Sequence, residues 1–155
     1  MRYITVVAVI CVSGCGFRLA QPVSLPSDFD RVAIDADDTR SAIYVALERE
    51  LLNRGVTVDR RSGKRIRLLA VETGQRVLSV SARNIPREFE VFYTVAFTYT
   101  KDGSEQIVAP PLTLTRDYQW SELEVLGKKA EEESLRALIV ADLVDSILRR
   151  IAAQG

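Results

Sequence analysis

Alternation of apolar and polar residues is clearest between Glu88 and Tyr99. A period of two predicts a long strand with one strongly apolar face, because successive side chains of a strand point to opposite faces of the sheet. Every second residue in this stretch is apolar: Phe89, Val91, Tyr93, Val95, Phe97 and Tyr99.

A hairpin follows this strand. Asp102-Gly103 is a dipeptide favoured in tight hairpin turns, and a return strand is predicted from Ile107 to Trp120. Pro110 and Pro111 interrupt that return strand. Because proline has no N–H group to donate to a neighbouring strand, we expect a bulge or a sheet edge there.

Two segments show helical periodicity. In the first, Ile43, Tyr44, Leu47 and Leu51 fall on one face, and the helix ends at Asn53-Arg54-Gly55. Any of Asp37, Asp38 and Thr39 is suited to capping its N-terminus. The second helix is predicted from Glu124 to Ala152, and its apolar stripe contains Val140, Leu143, Val144, Ile147 and Ile151.

The remaining strand candidates complete the fold prediction. They are Arg31–Asp35, Val56–Asp59, Ile66–Thr73, which Gly74 is expected to end, and Val77–Ser81. The order of elements predicts an α+β two-layer sandwich, in which two helices pack on one face of a mostly antiparallel sheet of four to five strands.

Composition excludes the commonest catalytic and metal-binding chemistries. The chain has no histidine and two cysteines, Cys11 and Cys15, so a Ser-His-Asp triad and the usual zinc sites lack their residues. Carboxylate-only or Ser-Lys catalysis stays formally open, but no spacing favours it. Twenty-one Lys and Arg residues balance 21 Asp and Glu residues, so no net field attracts nucleic acid. We therefore expect neither an enzyme, nor a metal site, nor a nucleic-acid partner.

The N-terminus predicts a lipid anchor. Arg2 precedes a short apolar run that is too short to span a bilayer, and the run ends in Val12-Ser13-Gly14-Cys15. This pattern resembles a bacterial lipoprotein signal, in which cleavage leaves an acylated Cys15 as the N-terminus. Residues 1–14 are then the signal peptide, 15–30 the lipidated N-terminus and tether, and 31–155 a single domain. No cofactor is expected beyond the covalent lipid.

These pieces, in this order, resemble the LptE family of LPS-assembly lipoproteins over essentially the whole mature chain. The segments that carry the resemblance are Cys15-Gly16-Phe17-Arg18-Leu19, Val77-Leu78-Ser79-Val80, Glu88-Phe89-Glu90-Val91, Leu114-Thr115-Arg116-Asp117-Tyr118, Val125-Leu126-Gly127-Lys128, Glu131-Glu132 and Ile147-Leu148-Arg149-Arg150-Ile151.

The resemblance implies a non-enzymatic role at the outer membrane. Similar proteins sit as a plug inside the lumen of the outer-membrane β-barrel LptD, assist its assembly, and take part in inserting lipopolysaccharide into the outer leaflet. They can also bind lipopolysaccharide directly. Gly16 after Cys15, where an aspartate would favour the inner membrane, agrees with an outer-membrane location by resemblance to Gram-negative lipoproteins.

Four basic residues are candidates for contacts with lipopolysaccharide. Arg83 and Lys128 match by position basic residues of the family, while Arg87 and Lys129 are neighbours that could share the contact. Arginine suits phosphate because it forms bidentate hydrogen bonds. The alternative for each residue is an ordinary solvated surface charge.

Two further side chains have alternative interpretations. Trp120 is either a core residue or an interface anchor. Arg116 shares the apolar face of its strand, which favours a structural ion pair with an acid such as Glu90.

Two other function classes stay open. One is a lipid-anchored accessory subunit of a different envelope transport complex. The other is a lipoprotein hydrolase, which a concave pocket containing several ionisable groups with shifted pKa values would favour.

Overall fold

The computed structural model describes residues 24–108, 110–120 and 125–154, with side chains in the last range from residue 127 onwards. The predicted signal peptide, Cys15 and the first part of the tether, up to residue 23, lie outside the described residues.

A long antiparallel hairpin organises the sheet. Strand β3 (Lys64–Val80) pairs along its length with strand β4 (Pro86–Lys101). The prediction that Gly74 ends a strand is wrong, because β3 continues through it opposite Phe92. The Phe92 ring lies over Gly74, and a Cβ atom there would be only 2.7 Å from the ring. A glycine at this position accommodates the ring; it does not break the strand.

The other strands flank this hairpin on both sides. Strand β1 (Arg31–Ala36) is parallel to β3 and to the two-residue strand β2 (Thr57–Val58). Strands β5 (Ser104–Val108) and β6 (Leu112–Gln119) both pair antiparallel with β4, on the side away from β3. Pro110 and Pro111 lie between these two edge strands, as the sequence predicted. The six described strands form one mixed sheet.

Glycine, asparagine and aspartate supply the left-handed backbone at the turns. Asp102 and Gly103 have φ values of 51° and 81°, which suit the predicted tight turn between β4 and β5. Gly55 has φ of 78° directly after the first helix, as predicted for its C-terminal position. Asn84 has φ of 59° in the turn between β3 and β4.

The two described helices present apolar stripes to the sheet. Helix α1 (Ala42–Asn53) buries Ile43, Leu47 and Leu51. Its N-cap residue is Ser41, so the expectation of a cap at residues 37–39 is wrong; the Ser41 hydroxyl donates to the Asp38 carbonyl. Helix α2 (Val125–Ala152) carries the second stripe. Its fully or nearly fully buried residues are Ile139, Val140, Leu143, Val144, Ile147, Leu148 and Ile151.

Both helices cover the same face of the sheet. The alternate residues of β4 from Val91 to Tyr99 are buried beneath them, whereas Phe92, Thr94, Ala96, Thr98 and Thr100 on the opposite face are only partly buried. This confirms the α+β two-layer fold predicted from the sequence.

Candidate binding surfaces

The hairpin turn and the start of α2 lie at the same end of the sheet. Strand β6 runs towards the turn between β3 and β4, because Gln119 pairs with Glu88 and the Trp120 N–H donates to the Arg87 carbonyl at 2.8 Å. Helix α2 begins five residues after Trp120. The four basic residues predicted from the sequence therefore belong to two elements, the hairpin and α2, that meet at this end.

The hairpin supplies two of these basic residues. Arg83 occupies the turn itself, where the Asn84 N–H donates to the Ser81 carbonyl at 2.9 Å. Arg87 follows in β4. Both side chains are exposed, and neither has a hydrogen-bonding or ionic partner among the described residues. They are free to bind an anion.

Helix α2 supplies the other two. Lys128 bonds to Glu131 one turn along the helix, with 2.8 Å between Nζ and Oε2, whereas Lys129 is exposed and unpaired within the described part of the chain. The ion pair partly neutralises Lys128. Within residues 24–108, 110–120 and 127–154, no described contact joins a hairpin arginine to either lysine.

Exposed aliphatic side chains lie on both sides of Arg83 along the hairpin. Val77 and Leu78 are each 47% exposed, Val80 is 52% exposed, and Ile85 is also exposed. The sequence predicted no binding role for these residues, although the apolar run Val77-Leu78-Ser79-Val80 indicated an exposed aliphatic segment beside the turn. The end of the hairpin therefore combines cationic and aliphatic groups. We call residues 77–87 the amphipathic tip.

Three aromatic rings pack behind the amphipathic tip. Phe89 stacks on Tyr118 with ring centroids 5.7 Å apart, and Trp120 meets Phe89 edge-on at 5.8 Å. Trp120 is half-buried and packs against the core cluster. The structure therefore assigns Trp120 to the edge of the core and leaves part of its surface open to contact.

A polar network joins this aromatic cluster to α2. The Tyr118 hydroxyl contacts Glu132, with 3.2 Å between oxygens, and the Gln75 side-chain amide also donates to it. Arg136 bonds both Glu132 and the Thr73 hydroxyl. Burial, followed by the nearby Glu132 carboxylate, raises the pKa of Tyr118. The phenol therefore stays protonated and available as a donor.

The ion pair predicted for Arg116 has a different partner. Arg116 bonds Asp142 of α2 at 2.7 Å, whereas Glu90 pairs with Arg76 on the adjacent strand. The register explains the error: Glu90 and Arg76 are directly opposite on the uncovered face, while Arg116 lies on the helix-covered face.

A groove of about 1310 Å³ runs between the two helices over β3. Alanines at positions 42, 46, 137 and 141 line it, together with Val45, Leu69 and Val71. Burial raises the pKa of Tyr93 at its floor. Two hydroxyls are described on the walls of the groove: Ser41 donates to a backbone carbonyl, and Thr73 donates to a backbone carbonyl and accepts from Arg136. Neither hydroxyl contacts a base that would activate it as a nucleophile among the described residues.

Two features are absent from the described residues. Neither described helix is long and apolar enough to cross a membrane. Among the same residues, no three acidic, histidine or cysteine side chains are grouped closely enough to hold a metal ion.

The fold and these surfaces define a two-layer α+β domain that offers an amphipathic hairpin and an uncovered sheet face for binding. The chain belongs to the LptE family: the family model described as "LptE: Lipopolysaccharide-assembly" matches residues 29–151.

Similar sequences carry related names. A protein of Yersinia enterocolitica named LPS-assembly lipoprotein LptE is 21% identical over 148 residues, which cover 93% of this chain and 71% of that protein. A protein of Yersinia pestis with the same name is 22% identical over the same length.

Solved structures share the fold. The solution structure of lipoprotein B from Nitrosomonas europaea is 33% identical, with a TM-score of 0.73 over 89% of this chain and 91% of that one. A minor lipoprotein from Acinetobacter baumannii is 20% identical, with a TM-score of 0.65 over 84% of this chain and 94% of that one.

Proposed function

We propose that this protein is a lipid-anchored, non-enzymatic subunit of the machinery that assembles lipopolysaccharide in the outer membrane. The family match across residues 29–151 is the observation that carries the proposal. Acylation of Cys15 would attach the chain to the membrane, since each buried methylene contributes about 0.8 kcal/mol and several chains give lasting attachment.

We further propose that the domain acts as a plug in the lumen of the LptD barrel. Barrel lumens are polar, so a plug needs a polar surface that packs closely. The uncovered sheet face has this character, because threonines 94, 98, 100, 113 and 115 dominate it. Thr94 and Thr113 share a hydrogen bond of 2.8 Å between neighbouring strands.

Co-purification tests the barrel partner. Membranes carrying the lipoprotein with a tag after Gly155 are extracted with detergent, and the captured proteins are identified by mass spectrometry. We expect LptD in near-stoichiometric amount, and a Cys15→Ala variant should lose the lipid mass. Capture of a different envelope transport complex would instead support the alternative, an accessory subunit of that complex. Recovery of no large barrel would reject the plug role.

The amphipathic tip is the proposed contact for lipopolysaccharide. Lipopolysaccharide combines phosphates with acyl chains, and the tip places free guanidinium groups beside exposed aliphatic side chains. Arg83 and Arg87 would bind phosphate, with Lys128 and Lys129 adding positive charge from the start of α2.

A double variant tests this site. Arg83→Ala with Lys128→Ala should weaken binding of purified lipopolysaccharide about tenfold or more, because loss of one charge-assisted hydrogen bond costs roughly 1.5–3 kcal/mol. Association with the barrel should be unchanged. Arg49→Ala with Arg61→Ala, which removes two exposed positive charges elsewhere, is the matched control. Equal lipopolysaccharide binding by both double variants would reject the site.

A further inference from the structure

The regular part of strand β3 has one unpaired edge. Strand β1 pairs with β3 only as far as Leu68, opposite Ala36. From Ala70 to Val77 the pairing with β4 is regular, and the register shifts just before and just after this stretch. No backbone hydrogen bond from another described segment reaches its other edge. Alternate residues there present unpaired N–H and C=O groups.

The side chains along this edge leave it open to pairing. Natural edge strands are usually protected by lysine, proline or short length, and residues 71–77 contain neither lysine nor proline. All of these residues except Gly74 are exposed. Val71 and Val77 are 40% and 47% exposed although they lie on the helix-covered face, the face on which Val95, opposite Val71, is buried.

We infer that a second copy of this chain pairs antiparallel with this edge along residues 71–77, about a two-fold axis at Gly74. The stretch Val-Glu-Thr-Gly-Gln-Arg-Val is complementary to itself in that arrangement. Glu72 of each copy lies opposite Arg76 of the other, which gives two pairs of opposite charge. No other antiparallel register places these two charges opposite each other, because their positions are symmetric only about Gly74.

The same register covers the exposed valines. Val71 of each copy lies opposite Val77 of the other on the helix-covered face, and burial of both side chains favours association. Directly opposite residues of an antiparallel pair share a face, so the helices of both copies stay on one side of the joined sheet. The pairing also satisfies edge N–H and C=O groups that are otherwise open to aggregation.

Both charges are available for this contact. Glu72 is exposed and has no ionic partner among the described residues. The Arg76 side chain pairs with Glu90 but is still 63% exposed. A guanidinium group has five N–H donors, which is enough for two carboxylates. Arg76 can therefore bind Glu72 of the other copy without giving up Glu90.

The end of β1 leaves room for the second copy. Val77 of one copy lies opposite Val71 of the other, three residues beyond Leu68, the last residue of β3 that pairs with β1. Register shifts between Val77 and Ser79 and between Ser79 and Val80 end the regular ladder at this point. A bulge bends its strand, so the hairpin beyond Val77 turns out of the line of the shared ladder.

Sedimentation of the purified lipoprotein tests the pairing. The full chain is kept in an excess of detergent micelles, and its mass is measured over about a hundredfold range of protein concentration. We expect a dimer that dissociates on dilution. A lipoprotein that stays monomeric over the whole range would overturn the inference.

Charge reversal locates the contact. Glu72→Arg should weaken self-association about tenfold, because it places two pairs of like charges opposite each other. Glu105→Arg on β5 is the matched control, since Glu105 is exposed and has no ionic partner among the described residues. Equal self-association of these two variants would show that the copies meet elsewhere.

A mixture of two variants tests the register. Arg76→Glu alone also places like charges opposite each other, whereas an equal mixture with Glu72→Arg restores opposite charges at both positions and should recover the dimer. Circular dichroism checks that both variants are folded, because Arg76→Glu removes the ion pair with Glu90. If the folded variants associate no better together than alone, the register is wrong.

Hydrogen exchange distinguishes backbone pairing from contact through side chains. Alternate amides between Val71 and Val77 point away from β4, and they should exchange rapidly in dilute protein. At concentrations where the dimer dominates they should slow at least about tenfold, while the amides bonded to β4 change little. A dimer without this alternating protection would overturn strand pairing.

These measurements are independent of the proposed function, since they use the lipoprotein without the barrel. A monomeric lipoprotein would overturn the inference and leave the plug role intact. Failure to recover the barrel by co-purification would reject the plug role and leave the self-pairing intact.

Discussion

Gly74 shows how the surroundings of a residue determine its structural role. Its missing Cβ leaves room for the Phe92 ring, which in turn lies 5.9 Å from the Arg76 guanidinium. Arg76 also forms the ion pair with Glu90, which is only 9% exposed. Arg76 of β3 therefore contacts both the Phe92 ring and the Glu90 carboxylate of β4, and these contacts stabilise the pairing of the two strands on the uncovered face.

Gly74→Ala should therefore destabilise the fold by about 1–2 kcal/mol, since the added methyl group forces the Phe92 ring to move. Urea denaturation measures the change. The control is Gly127→Ala in α2, where the added Cβ would have no described atom within 4 Å apart from its chain neighbours and its own helix backbone. That change should stabilise the helix by up to about 1 kcal/mol. A neutral or stabilising Gly74→Ala would contradict the role given to Phe92.

At the scale of elements, the two halves of α2 are held to the sheet by different forces. From Ile139 onwards the helix buries an aliphatic stripe. Among the side chains described between residues 127 and 138, Leu135 alone packs against the core. Polar contacts of Glu132 and Arg136 with Tyr118 and Thr73 hold that first half. Loss of one of these contacts should therefore affect the first half most.

Tyr118→Phe removes the hydroxyl that contacts Glu132 and Gln75 while keeping the ring. We expect a loss of about 1 kcal/mol in the free energy of unfolding, and faster amide exchange in residues 128–138 than in residues 139–150. Tyr44→Phe is the control, because no partner of the Tyr44 hydroxyl is described, and it should change stability by less than about 0.5 kcal/mol. Identical effects of the two variants would argue against the polar network.

At the scale of the whole molecule, Asp28 fastens the segment before β1 to the end of the long hairpin. Its carboxylate pairs with Lys101 at 2.8 Å and Lys64 at 3.4 Å, and Lys64 also donates to the Asp28 carbonyl. The hydrogen bond from Lys101 is the main cause that lowers the pKa of Asp28, and the same contact raises the pKa of Lys101. The proposed tether would therefore meet the domain at a fixed point.

This pair predicts a pH window for stability. A lowered carboxyl pKa contributes stability above the unfolded-state value of 3.8 that is lost as pH falls through the folded-state value. The raised pKa of Lys101 contributes stability below the unfolded-state value of 10.5, and this stability is lost as pH rises through the folded-state value. Thermal melts of Asp28→Asn and wild type should differ at pH 7 and converge in acid below pH 3.8. A constant difference down to pH 2 would contradict this linkage.

Local patterns alone determined much of this protein. Alternation in β4, the helical stripe of α1 and the Asp102-Gly103 turn each depend on neighbouring residues only, and the structure confirms all three. The order of elements was enough to predict the two-layer fold. These patterns predict structure because each element buries its apolar face regardless of which other element covers it.

Only the tertiary structure decided which groups meet. Gly74 makes room for a ring because the β3–β4 register places Phe92 opposite it. Arg116 pairs with Asp142, 26 residues away, because α2 crosses β6. The unpaired edge of β3 exists because β1 stops at Ala36 while β3 continues to Val80. Register, crossing position and relative strand length are set by packing between distant segments, which no local pattern encodes.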